Sequence, residues 1–295
     1  MTTPPADLPT KATTRAVTRI VRAEQAMEGA GVSIRRVMPQ RDFMDVDPFV
    51  LLDEFRSSEP NVPSPGFPPH PHRGIETVTY MLAGRTRHTD SNGDHGVIGP
   101  GDVQWMTAGR GIVHSEMPEQ QDGEFRGFQL WINLPGAAKM TTPSSYRELP
   151  AQSIPTLHVD GVSIRIISGS FGGRSGPAPE RTTEPLYVDV SLPAAHEIEI
   201  PITEGHAAFA YVYDGEVSFG SSEATTVHAG HAALLEGGGT VRLGSRASGR
   251  VLLFAGRPIR EPIMRHGPFV MTTANELRQA VADIQAGTFL SKGGD

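Results

Sequence analysis

The chain has no cysteine. Disulfides, thiolate metal ligands and cysteine nucleophiles are therefore excluded. It also lacks any stretch near the ~20 consecutive apolar residues that a membrane-spanning helix needs. Lysine and arginine together number 26 against 33 acidic residues, a formal net charge of −7, and the basic residues form no run. Direct binding to nucleic acid is disfavoured, because holding the phosphate backbone takes clustered positive charge. The first residues, rich in Thr, Pro and Ala, show no basic stretch followed by an apolar one, so no secretory signal is expected. Residues 1–14 read as a flexible tail, and the expected location is cytoplasmic.

Glycine (33) and proline (25) are abundant and spread along the chain. Between them lie short apolar runs such as Ile75–Leu82, Phe128–Leu134, Leu186–Leu192, Ala208–Val212 and Val251–Phe254. Their β-branched and aromatic content, broken by turn residues every ten or so positions, predicts an all-β sandwich or barrel. A length of 295 residues suggests two domains. The loop-rich stretch from Pro135 to Pro155 would join them, giving units at 15–140 and 156–290 with a linker at 141–155. Ser91-Asn92-Gly93-Asp94 signals a tight hairpin, and Asp214-Gly215 signals one more weakly. Gly169 to Pro185 reads as a long surface loop or lid. One helix closes the chain. Thr273-Ala-Asn-Glu276 is a capping-box pattern, Leu277, Ala280, Val281 and Ile284 recur at helical spacing, and Gly287 is the stop.

The chemistry concentrates between Gly66 and Pro118. On an extended strand, residues i and i+2 point to one face. His70 and His72 therefore aim together, as do His114 and Glu116. Two such pairs on facing strands would set three imidazoles and a carboxylate around a point, a donor set for Fe(II), Mn, Ni, Cu or Zn. Pro71, between the histidines, cannot donate to a ladder, so that strand should lie at an edge or be irregular. Glu76 is a rival fourth ligand. It lies four residues past His72, about 13 Å of extended chain, and would need a bend at Gly74, whereas Glu116 needs none. His88 and His95, flanking the Asn92-Gly93 turn, read as solvated loop residues. Trp105 and Trp131 read as core. Phe67, Met106 and Gln129 are candidates to line the pocket, and Arg110 is a candidate ion-pair partner or pocket cation.

The spacing Gly66-x-x-x-His70-x-His72-x-x-x-Glu76-x7-Gly84, with Pro100-Gly101 and a later histidine, resembles the two cupin motifs, although Gly66 sits closer to His70 than that pattern places it. Longer runs are more specific. His70-Pro-His-Arg-Gly-Ile-Glu-Thr-Val-Thr-Tyr80, the run from Pro100 to Pro118 and that from Arg257 to Met271 resemble the pirin family, and the likeness spans residues 15 to 290. The resemblance implies two cupin barrels facing each other, with a C-terminal α-helix. It implies one divalent transition metal, usually Fe(II), in the first barrel only, on His70, His72, His114 and Glu116. Two activities follow from it. One is a quercetin 2,3-dioxygenase that cleaves a flavonol, or another small aromatic, with dioxygen, Glu116 serving as base. The other is a non-enzymatic, metal- or redox-responsive regulator that binds a protein partner.

Overall fold

The computed structural model describes residues 13–57, 65–119, 123–221 and 223–290. Of the expected tail at residues 1–14, residues 1–12 lie outside them, while Thr14 forms a β-bridge with Thr240. The chain folds as two β-barrels and a C-terminal helix. In the first, a seven-stranded sheet runs in the order Ser145–Leu149, Val103–Thr107, Ile75–Ala83, Phe125–Asn133, Phe49–Ser57, Val32–Met38 and Glu24–Glu28. A four-stranded sheet, Phe67–His72, Ile112–Pro118, Thr86–Asp90 and His95–Ile98, completes it. Residues 145–149, within the stretch read as a linker, thus form a strand of the first sheet.

The second barrel explains why its strands read as nearly continuous apolar runs. Along Leu186–Leu192, the side chains of Leu186, Val188, Val190 and Leu192 fill the barrel, while Tyr187 points the other way. The strand Ala207–Phe219 repeats this, with Ala208, Ala210 and Val212 inside and Phe209, Tyr211 and Tyr213 outside. The outward residues are not solvated. They pack with Phe49, Tyr80, Trp105 and Phe128 of the first barrel in one shared core. Apolar residues lie on both faces of these strands, so the period of two in the pleat is hidden.

Three of the tyrosine hydroxyls in this shared core are paired with carboxylates. The hydroxyls of Tyr80 and Tyr213 donate to Asp189 at 2.8 and 2.6 Å, and that of Tyr211 donates to Glu54 at 2.7 Å. The two ends of the chain also cross between barrels. Ala16–Arg22 pairs with His231–Glu236 of the second barrel. The hairpin Met264–His266/Phe269–Met271 and the helix Ala274–Ala286 return to the first.

That return is tied down by buried cations. Arg73 lies over the Phe289 ring, 4.3 Å from its centre, and its Nη1 is 2.6 Å from Asp283 Oδ2. Lys139 Nζ donates to the carbonyls of Gly74 (2.7 Å) and Val270 (3.0 Å) and to Asn133 Oδ1. The helix begins at the expected capping box: the Glu276 amide donates to Thr273 Oγ1 at 3.2 Å and the Thr273 amide to Glu276 Oε2 at 2.8 Å. It ends at Gly287, whose φ of 69° is left-handed. Among the described residues, no helix is long and apolar enough to cross a membrane.

Asn92-Gly93 does turn a hairpin, joining Thr86–Asp90 to His95–Ile98 with Gly93 at φ 89°. Asp214-Gly215 does not. One strand runs straight through it, from Ala207 to Phe219. A register shift between Val212 and Asp214 and a φ of 62° at Gly215 mark a bulge. The strand there leaves one partner, His231–Glu236, for another, Thr225–His228. A bulge and a turn use the same glycine chemistry, and the sequence does not separate them.

Candidate metal centre

The strand Phe67–His72 is the terminal strand of its sheet. Pro68, Pro69 and Pro71 are tolerated there because the free edge asks no amide of them. Its inner neighbour is Ile112–Pro118, registered so that His114 lies opposite His70 and Ile112 opposite His72. The two strands are therefore adjacent in one sheet rather than on facing sheets. Cross-strand pairing supplies what the i, i+2 rule begins. The imidazole centres are 4.4 Å apart for His70–His114, 4.8 Å for His70–His72 and 5.0 Å for His72–His114.

Each ring is oriented through its Nδ1. That of His70 lies 2.8 Å from the carbonyl oxygen of Pro68, that of His72 lies 3.2 Å from Pro268 O, and that of His114 lies 3.4 Å from Nδ1 of His88. One donor atom from each of the three histidines then lies within 4.8 Å of the others. The Nε2 atoms of His72 and His114 are buried without a hydrogen-bond partner. Two orphaned imidazole nitrogens side by side are costly unless something electrophilic sits between them. Burial, then the neighbouring His70, pushes the His72 pKa down to about 3. Burial, then the neighbouring His72, His70 and His88, pushes His114 well below the ordinary imidazole range. Both rings are held in the neutral form that binds a metal. The donor set fits a divalent transition ion.

Glu116 faces the same cavity but lies outside this three-histidine cluster. The register shift beside it lies on the neighbouring strand, which takes three residues from His70 to Phe67 against two from His114 to Glu116, so His114 and Glu116 keep one face. Its Oε1 accepts from Thr79 Oγ1 at 2.9 Å and from Gln104 Nε2 at 3.0 Å. Oε2 is left without a hydrogen-bond partner among the described residues. Glu76 points elsewhere. Its Oε1 accepts from Thr107 Oγ1 at 2.7 Å and from Arg181 Nε at 2.5 Å.

The barrel interior around the site is polar on three strands, with Thr79, Gln104 and Gln129 pointing inward. The second barrel is packed with apolar side chains, among them Val188, Ala210, Leu235 and Leu253. The centre opens on a cavity of about 600 Å³. Phe55, Phe67, Phe125 and Leu51 supply its apolar wall, and Trp131 stands edge-on to His72 with ring centres 4.9 Å apart. Arg36 and Asp53 form a two-pronged pair in the wall at 3.0 and 2.7 Å. Burial outweighs that pair and pushes the Asp53 pKa up to about 6.

Several sequence readings change here. His88 is fully buried rather than solvated, because its strand turns alternate residues Thr86, His88 and Asp90 inward. Trp131 lines the cavity, whereas Trp105 packs between the barrels. Phe67 and Gln129 line the cavity, but Met106 packs instead with Val50, Ile75 and Ile112. Arg110 contributes its backbone, its carbonyl accepting from Arg73 Nε at 2.6 Å. Pro268, whose carbonyl meets His72, arrives from the far end of the chain and left no local signal.

Two cupin-type barrels, one bearing the histidine cluster and one with an apolar core, define a bicupin. Residues 31–132 match the pirin family and residues 187–290 match the pirin C-terminal cupin domain. The chain belongs to the pirin family. It is 47% identical to a pirin-like protein of Caulobacter vibrioides over 277 residues, covering 93% of this chain and 99% of the relative. It is 40% identical to human pirin, covering 91% and 92%. A crystal structure of quercetin 2,3-dioxygenase from Acinetobacter baumannii superposes with a TM-score of 0.87 at 31% identity, covering 95% of this chain and 99% of the other.

Proposed function

We propose that this pirin is a metal-dependent dioxygenase of the quercetin 2,3-dioxygenase type, acting on a flavonol or a similar small aromatic. The observation that carries the reading is the convergence of three imidazoles, two of which line an apolar-walled cavity of about 600 Å³. That volume lies within the usual range for small-molecule sites. The likeness to the Acinetobacter baumannii enzyme supports the same reading.

His70, His72 and His114 would hold the ion, with Glu116 as fourth donor through Oε2. The ion, Fe(II) in the first instance, would supply Lewis acidity and a template for substrate and dioxygen. The protein's own part is orientation and proton handling. Thr79 and Gln104 fix Oε1 of Glu116, so Oε2 is the atom presented to an incoming hydroxyl and takes its proton as general base. Phe67, Phe125 and Trp131 give the aromatic rings a dry wall. The test is oxygen uptake and quercetin loss on protein loaded anaerobically with Fe(II), beside the metal-free protein. Joint, metal-dependent consumption with release of carbon monoxide is expected.

A second reading, as a metal-responsive regulator, draws on the Pro268 contact. The His72 ring leans on the hairpin that ends the second barrel, so a change at the ion would be felt by a surface segment. Metal-loaded protein that leaves quercetin and oxygen untouched would favour this reading over the first.

A further inference from the structure

Behind His114 lies a chain of polar groups that the proposed reaction does not use. His114 Nδ1 is 3.4 Å from His88 Nδ1, and His88 Nε2 is 3.1 Å from Asp90 Oδ2. All three residues are buried. The chain enters from the strand Thr86–Asp90, which pairs with the His114 strand so that Asp90 lies opposite His114. His88 is stacked on Tyr146, with ring centres 4.1 Å apart and planes 14° apart, which fixes the plane of its ring.

For a neutral His88 beside an ionised Asp90, the directions of these hydrogen bonds are fixed. An ionised carboxylate only accepts, so His88 must carry its proton on Nε2, facing Asp90. Its Nδ1 is then an acceptor, and His114 must donate to it from Nδ1. A neutral imidazole has one proton, so the Nε2 of His114 is left as a lone pair, aimed into the histidine cluster. We infer that His88 and Asp90 are positioning residues: they lock His114 as its Nδ1–H tautomer and so hold its Nε2 ready for a metal. The inference rests on the reading of His114 as a metal ligand.

Asp90 is anchored so that the relay can be inverted with one atom. Its Oδ1 accepts from the backbone amides of Asn92 at 2.8 Å and Asp94 at 3.1 Å. In Asp90→Asn the side-chain oxygen stays with those amides, and the new NH2 group replaces Oδ2. It donates to His88 Nε2, which must accept. His88 then carries its proton on Nδ1, head-on to the Nδ1–H of His114. Relief comes when His114 moves its proton to Nε2, where it blocks the lone pair. The turn keeps both its hydrogen bonds throughout.

The experiment measures Ni(II) affinity by chelator competition and the imidazole tautomers by long-range proton–nitrogen correlation in the metal-free, nitrogen-15-labelled protein. Wild type should show Nε2–H on His88 and Nδ1–H on His114. Asp90→Asn should invert both, with Ni(II) affinity reduced about 10- to 100-fold, the usual effect of losing an outer-sphere partner, and an unchanged melting temperature. His88→Phe, which keeps the stack on Tyr146 but has no nitrogen, should also bind Ni(II) more weakly. Unchanged tautomers in Asp90→Asn overturn the inference whatever the affinity does, because a loss of metal would then come from the turn. Inverted tautomers with wild-type affinity overturn it too. If His114→Ala binds Ni(II) as tightly as wild type, the ligand reading fails instead, and the tautomers of the metal-free protein still decide whether the relay exists.

Discussion

Nε of Arg181 lies 2.5 Å from Oε1 of Glu76, joining a long loop of the second barrel to a strand of the first. The Glu76 side chain is almost wholly buried and Arg181 is 24% exposed. The guanidinium also donates to Thr107 at 3.1 Å and lies 5.9 Å from the Trp105 ring centre. Glu76 is thus a clasp between the barrels.

Arg181→Ala should therefore cost about 3 kcal/mol, because it strands a buried carboxylate. Urea unfolding measures the loss. Metal content should stay at the wild-type level, since neither residue reaches the histidine cluster. Loss of metal with stability intact would return Glu76 to the list of ligands.

Replacing ligands and base should separate binding from turnover. His114→Ala and His72→Ala should each remove most of the bound metal. Glu116→Gln keeps the hydrogen bond from Thr79 but not the proton acceptor. Its turnover should fall by about 10²- to 10⁴-fold, the usual worth of a general base, with metal content reduced much less. Metal analysis beside oxygen uptake reads both. Full turnover in Glu116→Gln would remove Glu116 from the chemistry.

Acid should weaken the metal-free protein through His72 and His114. Their folded pKa values lie well below the unfolded value of about 6.5. Between the two, the unfolded chain binds more protons than the folded one, so stability is fully present above about pH 6.5 and is lost as pH falls. The slope is up to ~1.4 kcal/mol per pH unit for each imidazole. Asp53, with its pKa raised to about 6, acts in the opposite sense between about pH 6 and pH 4. Urea unfolding of wild type and His72→Gln between about pH 7 and pH 5 cancels the Asp53 contribution. The variant should show the shallower loss; equal slopes would contradict the assignment.

Lys139 tests whether the returning end of the chain builds the site. Lys139→Met removes the donor shared by Gly74, Asn133 and Val270 and should cost about 3 kcal/mol, from carbonyls left buried without partners. The hairpin carries Pro268, so metal affinity should fall as well. Hydrogen exchange should show the loss of protection concentrated in residues 264–271. Uniform loosening of both barrels would mean that Lys139 serves the fold alone.

The sequence already showed the all-β architecture, the closing helix and the three histidines, because each is written in local spacing. The remainder depends on partners distant in the chain. His88 looked solvated because a turn follows it, yet its strand is covered by Tyr146, 58 positions on. Glu116 shares the buried face of His114, yet its Oε1 is held by Thr79 and Gln104, 37 and 12 positions away, and it stays beside the cluster. The two tryptophans, alike in sequence context, differ in strand parity: Trp105 faces the other barrel and Trp131 the cavity.

The central claim is the metal centre itself. The most direct measurement is an anomalous difference map from crystals of the Fe(II)-loaded protein, recorded at the iron edge. A single peak about 2.0–2.2 Å from one nitrogen each of His70, His72 and His114, distances usual for first-row ions on imidazole, is the predicted result. A peak elsewhere, or none in protein shown to be folded and exposed to the ion, would contradict it.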